Sequence, residues 1–152
     1  MAAVITRGLP EQYLLMRLDP EGGTYITVKP ATVAEQAMRD ELWAKQSRTY
    51  HTSAPEAVEV KTESTFSQRR ALEVFLTMVD CNLLWQDLDS KGSNIGDAAP
   101  LFKLGKKANG ESYLAMDRPN FLEAWGRLPE TVAEEIHEKV LLKNPQWDIF
   151  RG

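Results

Sequence analysis

The residues most able to perform chemistry are two histidines and one cysteine. His51 lies in a polar stretch beside Tyr50, and His137 lies between Ile136 and Glu138 in a predicted helix. Neither has a second His, a Cys or a paired acid at a spacing typical of metal ligands, such as H-E-x-x-H or C-x-x-C. We therefore expect both to be ordinary surface or helix-flank residues, and we predict no catalytic residue, no metal site and no cofactor.

The single cysteine, Cys81, follows Asp80 near the predicted end of an apolar helix. A reactive thiol is one interpretation, but a free cysteine more often behaves as a small buried apolar residue, and we favour that interpretation. The chain has no G-x-S-x-G motif of the α/β-hydrolase type. A small cytoplasmic enzyme that uses Cys81 or His51 remains an alternative.

Two glycine-containing stretches resemble ligand-binding loops. An EF-hand loop that starts at Asp87 matches at its first and third positions and at Gly92, but Lys91 and Ala98 replace two required oxygen ligands. The stretch 105–110 is basic but lacks the order G-x-x-x-x-G-K-[ST] of a phosphate loop. We predict a turn at the first stretch and a hairpin turn at Asn109-Gly110 in the second.

The composition excludes several classes of protein. The 152 residues include 18 Lys and Arg against 22 Asp and Glu, which gives a net charge of −4. Phosphate-backbone binding needs clustered cations, so nucleic-acid binding through Lys103, Lys106 and Lys107 is a weak alternative. No apolar run approaches the ~18 residues of a membrane span. One cysteine excludes an intramolecular disulfide and fits a reducing compartment.

Strand formers at 13–18 and 24–29 flank the turn residues 19–23 and predict an antiparallel hairpin, with Ile26 and Val28 on one face. Thr32 and Glu35 form a capping-box signature that opens a helix running to about residue 44 or 47. A short strand over 58–62 is expected to follow and to join the hairpin.

The second half of the chain has a strong helical pattern. A helix capped by Ser67 is predicted to reach residue 84 or 85, with its apolar stripe at Leu72, Phe75, Leu76, Val79 and Leu83. Residues 86–109 are predicted to be irregular. Two further helices begin at Arg118-Pro119 and after Leu128-Pro129, and the last one stops at Asn144-Pro145.

These elements predict one domain over 1–152, of the α+β class and mainly helical, with a small N-terminal antiparallel β-hairpin or sheet. Residues 1–65 would hold the hairpin, a helix and a short strand. Residues 66–152 would form the helical part, including the irregular segment 86–109.

A set of segments between about residues 83 and 147 resembles the tail assembly chaperones of long-tailed bacteriophages. The segments are 85–89 (WQDLD), 99–102 (APLF), 121–125 (FLEAW), 128–136 (LPETVAEEI) and 144–147 (NPQW). The resemblance implies a small, largely helical, non-enzymatic protein of the infected host's cytoplasm. Such a protein keeps the tape-measure protein soluble while the tail tube polymerises, and it is absent from the mature virion. Many family members also have a longer form made by translational frameshifting.

The resemblance implies that the partners are the tape-measure protein and, as a further candidate, the tail tube protein, with neither nucleic acid nor a membrane involved. Self-association is left open. Candidate contact residues are Leu101 and Phe102 in the irregular segment and Trp147, Ile149 and Phe150 in the C-terminal tail. The alternative for these residues is that they anchor loops to the protein's own core. The main rival function is a structural head–tail connector or tail-completion protein.

Overall fold

A computed structural model describes residues 2–50 and 67–148, leaving aside the side chains of residues 43 and 45–50. Its strands are β1 (Glu11–Leu14), β2 (Tyr25–Val28), β3 (Met78–Cys81), β4 (Leu84–Leu88), β5 (Asn94–Pro100), β6 (Leu104–Lys106) and β7 (Ser112–Leu114). Its helices are α1 (Val33–Tyr50), α2 (residues 67–77), α3 (Arg118–Trp125) and α4 (Glu130–Lys143), followed by a 3-10 turn at Pro145–Trp147.

The N-terminal hairpin is present and is part of a larger sheet, but its first strand covers residues 11–14, so the prediction of a strand over 13–18 is wrong for residues 15–18. Strands β1, β2 and β3 form an antiparallel sheet in that order, with Gln12 opposite Thr27 and Ile26 opposite Cys81. Ile26 and Val28 are fully buried, which confirms the alternation predicted for β2. The predicted strand over 58–62 lies outside the described residues.

The prediction that the second helix reaches residue 84 or 85 is wrong. The helix ends at residue 77, and Met78–Cys81 forms strand β3 against β2. Asn82 reinforces this pairing, because its side-chain oxygen accepts from the Tyr25 N–H (2.8 Å) and its amide donates to the Gly23 carbonyl (2.7 Å). Sheet hydrogen bonds with a distant strand therefore override the helical periodicity of Val79 and Leu83.

The prediction of a mainly helical fold is also wrong, because three small antiparallel sheets lie among the described helices. Residues 86–109, predicted to be irregular, contribute to β4, β5 and β6. The glycines that suggested irregular structure belong to the hairpins: Gly92 lies in the β4–β5 turn with φ 83°, and Gly96 interrupts β5 with φ 69°. Glycine adopts such positive φ values without steric cost.

The predicted starts of three helices are confirmed. The Thr32 hydroxyl accepts from the Glu35 N–H (3.2 Å) and Glu35 Oε1 accepts from the Thr32 N–H (2.9 Å), which is the reciprocal capping box before α1. The Asp117 carboxylate accepts from the Asn120 N–H (3.0 Å) and caps α3. Helix α4 begins directly after Pro129 and ends before Asn144.

One cluster of buried apolar side chains connects the N-terminal sheet, the helices and the loop after β5. Its aromatic part is a row in which Phe121 stacks on Phe102 (5.1 Å between ring centroids) and on Trp125 (6.0 Å). Buried polar groups join the N-terminal part to α4: the Glu135 carboxylate accepts from the Arg17 and Leu18 N–H groups, each at 2.9 Å. Strands β2 and β3, helices α2, α3 and α4 and the loop after β5 thus share a core, and hydrogen bonds join α4 to the N-terminal part.

None of the helices in the described ranges is both long enough and apolar enough to cross a lipid bilayer.

Candidate functional site

A largely apolar groove of ≈ 740 Å³ lies beside strand β4. Its lining comes from the turn between β3 and β4, the end of β5, the loop that follows, the start of β6 and the segment after β7. It includes Leu83, Leu84, Leu101, Phe102, Leu104 and Met116. Leu84 projects from the rim with 63% of its surface exposed. Lys103 is the charged residue of the lining. A groove of this size and composition suits an apolar side chain or a short apolar segment of a partner.

Leu101 and Phe102, two of the predicted contact residues, lie at the base of this groove. Phe102 is 1% exposed and stacks on Phe121, and Leu101 is also buried. The Leu101 N–H donates to the Leu83 carbonyl (3.0 Å), which holds the loop after β5 against the turn before β4. Both side chains belong to the core in this conformation, and their contact with a partner stays a prediction.

The third contact residue in the described part of the chain, Trp147, is buried and does not line that groove. Its indole Nε1–H donates to Gln36 Oε1, and the Arg39 guanidinium lies 5.4 Å from the ring centroid. The 3-10 turn at Pro145–Trp147 places the ring there. Ile149 and Phe150 lie outside the described residues, so the predicted five-residue contact set is not assembled at one place by the described part of the chain.

A buried polar cluster near Trp147 was not predicted from the sequence. Both oxygens of Glu73 on α2 are engaged: Arg39 Nε from α1 donates to Oε2 (2.6 Å), and His137 Nε2 from α4 lies 2.7 Å from Oε1. Glu73 is 1% exposed and His137 is buried as well. The placement of His137 corrects the expectation of an ordinary surface or helix-flank residue. The sequence held one signal for this cluster: Glu73 is an acidic residue between the apolar residues Leu72 and Val74 of the predicted second helix.

A cavity of ≈ 370 Å³ adjoins the cluster and carries charged groups of both signs. Buried Arg70 donates to both oxygens of Glu130 (2.7 and 3.0 Å), and these hydrogen bonds lower the pKa of that carboxyl group. A histidine beside a carboxylate can serve as a general base. Here, however, Glu73 binds Arg39 and His137 together and connects three helices, so we assign the cluster a structural role.

Cys81 lines the apolar groove but is itself buried. Burial raises the pKa of its thiol to about 11. The nucleophilic form is the thiolate, which such a shift makes scarce near neutral pH. This environment matches the interpretation of Cys81 as a small apolar residue.

We expect the Cys81 thiol of the folded protein to react slowly with a disulfide reagent. Its raised pKa leaves about 100-fold less thiolate at about pH 8 than an ordinary thiol has, and burial restricts access further. The measurement is the rate of reaction with Ellman's reagent, with the same chain unfolded in guanidinium chloride as the control. Equal rates in the two states would contradict the burial of Cys81.

Both glycine-containing stretches form turns, as predicted, and the first of them also proves to connect two strands of a hairpin. Asp89 Oδ1 accepts from the N–H groups of Lys91 (2.8 Å) and Ser93 (2.9 Å), so that carboxylate organises the β4–β5 turn. Residues 107–111 connect β6 to β7, with the Gly110 N–H donating to the Lys107 carbonyl (2.9 Å). His51 lies outside the described residues.

The described residues contain no group of three or more His, Cys, Asp or Glu side chains that could hold a metal ion. No family model, no curated protein and no solved structure matches the chain.

Proposed function

We propose that this protein is a non-enzymatic assembly chaperone of a bacteriophage tail. It binds the tape-measure protein in the cytoplasm of the infected host and keeps that protein soluble until the tail tube encloses it. The proposal rests on the resemblance of the segments between about residues 83 and 147 to such chaperones and on a surface suited to apolar partners.

The apolar groove beside β4 is the observation that supports this proposal most directly. It lies within the part of the chain that carries the resemblance, and its lining includes Leu101 and Phe102. Leu84 offers an exposed apolar side chain at the rim, where an apolar face of a helical partner could cover it. The groove thus provides apolar contact area outside the closed core.

The charge of the chain supports the same role. A chaperone that shields apolar segments must itself stay dispersed, and a net charge of −4 opposes self-precipitation. Exposed apolar side chains such as Leu84 and Leu88 therefore belong to a protein whose net charge is negative. Binding and release of an apolar segment need no acid–base pair or bound metal.

The test is co-expression with the tape-measure protein encoded nearby in the same genome. We expect that protein to be soluble only when this chain is present. Leu84→Glu should reduce the soluble fraction at least about fivefold, because a carboxylate at the rim opposes burial by an apolar partner. The matched control is Leu142→Glu, since Leu142 on α4 is 61% exposed, close to the 63% of Leu84, and lies outside the groove.

Two results would contradict the proposal. In the first, the tape-measure protein is equally soluble without this chain. In the second, mass spectrometry of purified virions finds the chain in stoichiometric amounts, which would favour the connector or tail-completion function. Equal effects of the Leu84 and Leu142 variants would contradict the assignment of the groove as the binding surface.

A further inference from the structure

The β4–β5 hairpin has two edges that differ in regularity. Within the described ranges, β4 pairs with β5 and with no other strand, and the two strands pack chiefly on one another. An unpaired strand edge presents free N–H and C=O groups that can pair with another chain. The two edges of this hairpin differ in whether they can accept such a partner.

The edge of β5 is interrupted. The register passes from Trp85 opposite Ala99 to Asp87 opposite Ile95, so residues 96–98 bulge opposite Gln86. Gly96 within the bulge has φ 69°. The Gln86 side chain fills the gap by donating from Nε2 to the Gly96 carbonyl (2.7 Å). Bulges of this kind bend a strand and block its edge against a further strand.

The edge of β4 is regular. The Leu83 carbonyl accepts from the Leu101 N–H (3.0 Å), and the Asp89 N–H donates to the Ser93 carbonyl (2.8 Å). Residues 83 and 89 therefore direct their backbone groups towards the β5 side, and by alternation residues 85 and 87 do the same. The N–H and C=O groups of Leu84, Gln86 and Leu88 consequently point to the open edge.

We propose that a second copy of this chain pairs with that edge, antiparallel, about a two-fold axis at Gln86. In this register Leu84 of one copy lies opposite Leu88 of the other, and Gln86 lies opposite its own counterpart. All three facing pairs are residues whose backbone groups point to the open edge, so every hydrogen bond of the new ladder can form. The pairing extends the hairpin to a four-stranded sheet across the dimer.

The side chains of β4 suit this symmetric pairing. Leu84 and Leu88 are 63% and 59% exposed, and each would meet the other across the new ladder. On the opposite face Trp85 of one copy lies across from Asp87 of the other. Since the residue on the axis is the neutral Gln86, no like charges are opposed. Pairing of β5 with itself about Asp97, by contrast, would place two carboxylates together.

The dimer is expected to be weak. A five-residue strand pairing buries less surface than a standard stable interface, so we expect a dissociation constant in the micromolar range, roughly 10–100 μM. The test is sedimentation velocity of the full chain from about 1 μM to about 1 mM, in which the average mass should rise from monomer to dimer.

Gln86→Pro and Gln86→Ala form a matched pair of variants. Both remove the side-chain hydrogen bond to Gly96, but only proline removes the N–H at the axis. That N–H points to the open edge, where proline is tolerated in a strand. We expect the alanine variant to dimerise like the wild type and the proline variant to dimerise about 10- to 100-fold more weakly.

A second pair of variants covers the case in which proline disturbs folding, as judged by circular dichroism. Leu88→Lys should weaken the dimer, whereas Ile95→Lys should not, because Ile95 is similarly exposed (55%) but lies on the blocked strand. A wild type that stays monomeric up to about 1 mM would overturn the proposal. So would a dimer that both Gln86→Pro and Leu88→Lys leave intact. Because Gln86→Pro leaves every groove side chain unchanged, this test is separate from that of chaperone function.

Discussion

Replacing Glu73 with alanine is expected to lower the free energy of unfolding by about 3–5 kcal/mol. The Glu73 carboxylate is almost completely buried and binds Arg39 of α1 (2.6 Å) and His137 of α4 (2.7 Å). Its removal leaves the Arg39 guanidinium, itself largely buried, without its main partner. The cost of an uncompensated buried charge therefore adds to the cost of a cavity.

Urea denaturation of the wild type and the variant measures this loss. Glu123→Ala is the control, because Glu123 on α3 also pairs with an arginine, Arg127 just after the helix (3.2 Å), but both side chains are largely exposed. Exposed ion pairs contribute about 0.2–1 kcal/mol. Similar losses for the two variants would show that the Glu73 cluster is solvated and would contradict its burial.

Phe102→Ala is the second substitution with a large expected effect. It should lower the free energy of unfolding by about 3–5 kcal/mol as well. Phe102 is 1% exposed and stacks on Phe121, which in turn stacks on Trp125. Alanine removes the ring at one end of this row, where it stacks on Phe121, and leaves a cavity beneath the apolar groove. Phe102→Leu, which keeps most of the volume, should lose roughly 1–2 kcal/mol.

Thermal or urea unfolding again provides the measurement, and Leu84→Ala provides the control. Leu84 lines the same groove but is mostly exposed, so its truncation should change stability by no more than about 0.5 kcal/mol. Comparison of the two variants distinguishes a residue that supports the groove, Phe102, from one that offers contact surface, Leu84. A Phe102→Ala variant of wild-type stability that fails to bind the tape-measure protein would assign Phe102 to the contact surface instead.

Much of the candidate site could not be predicted from sequence. Leu101 and Phe102 were recognisable as an apolar island in a polar stretch, and the structure places both at the base of the groove. The groove itself needs β4, β5 and the loop after them to form, and the glycines there suggested irregular structure. His137 was expected on the surface or at a helix flank, whereas Glu73 supplies the hydrogen-bonding group that the histidine needs in order to be buried.

The amino-acid sequence by itself determined those features that depend on neighbours a few residues away. The capping box of Thr32 and Glu35, the cap at Asp117 and the alternation in β2 are of this kind, because their hydrogen bonds and side-chain faces are set by local spacing.

Tertiary structure alone decided the rest. Residues 78–81 became a strand because β2 offers them backbone partners about 50 residues earlier in the chain. Glu73 is buried because Arg39 and His137, separated from it by 34 and 64 residues, converge on its two oxygens. A buried carboxylate and a short strand such as β3 are stable only when such partners are in place, and sequence spacing does not encode which distant partners meet.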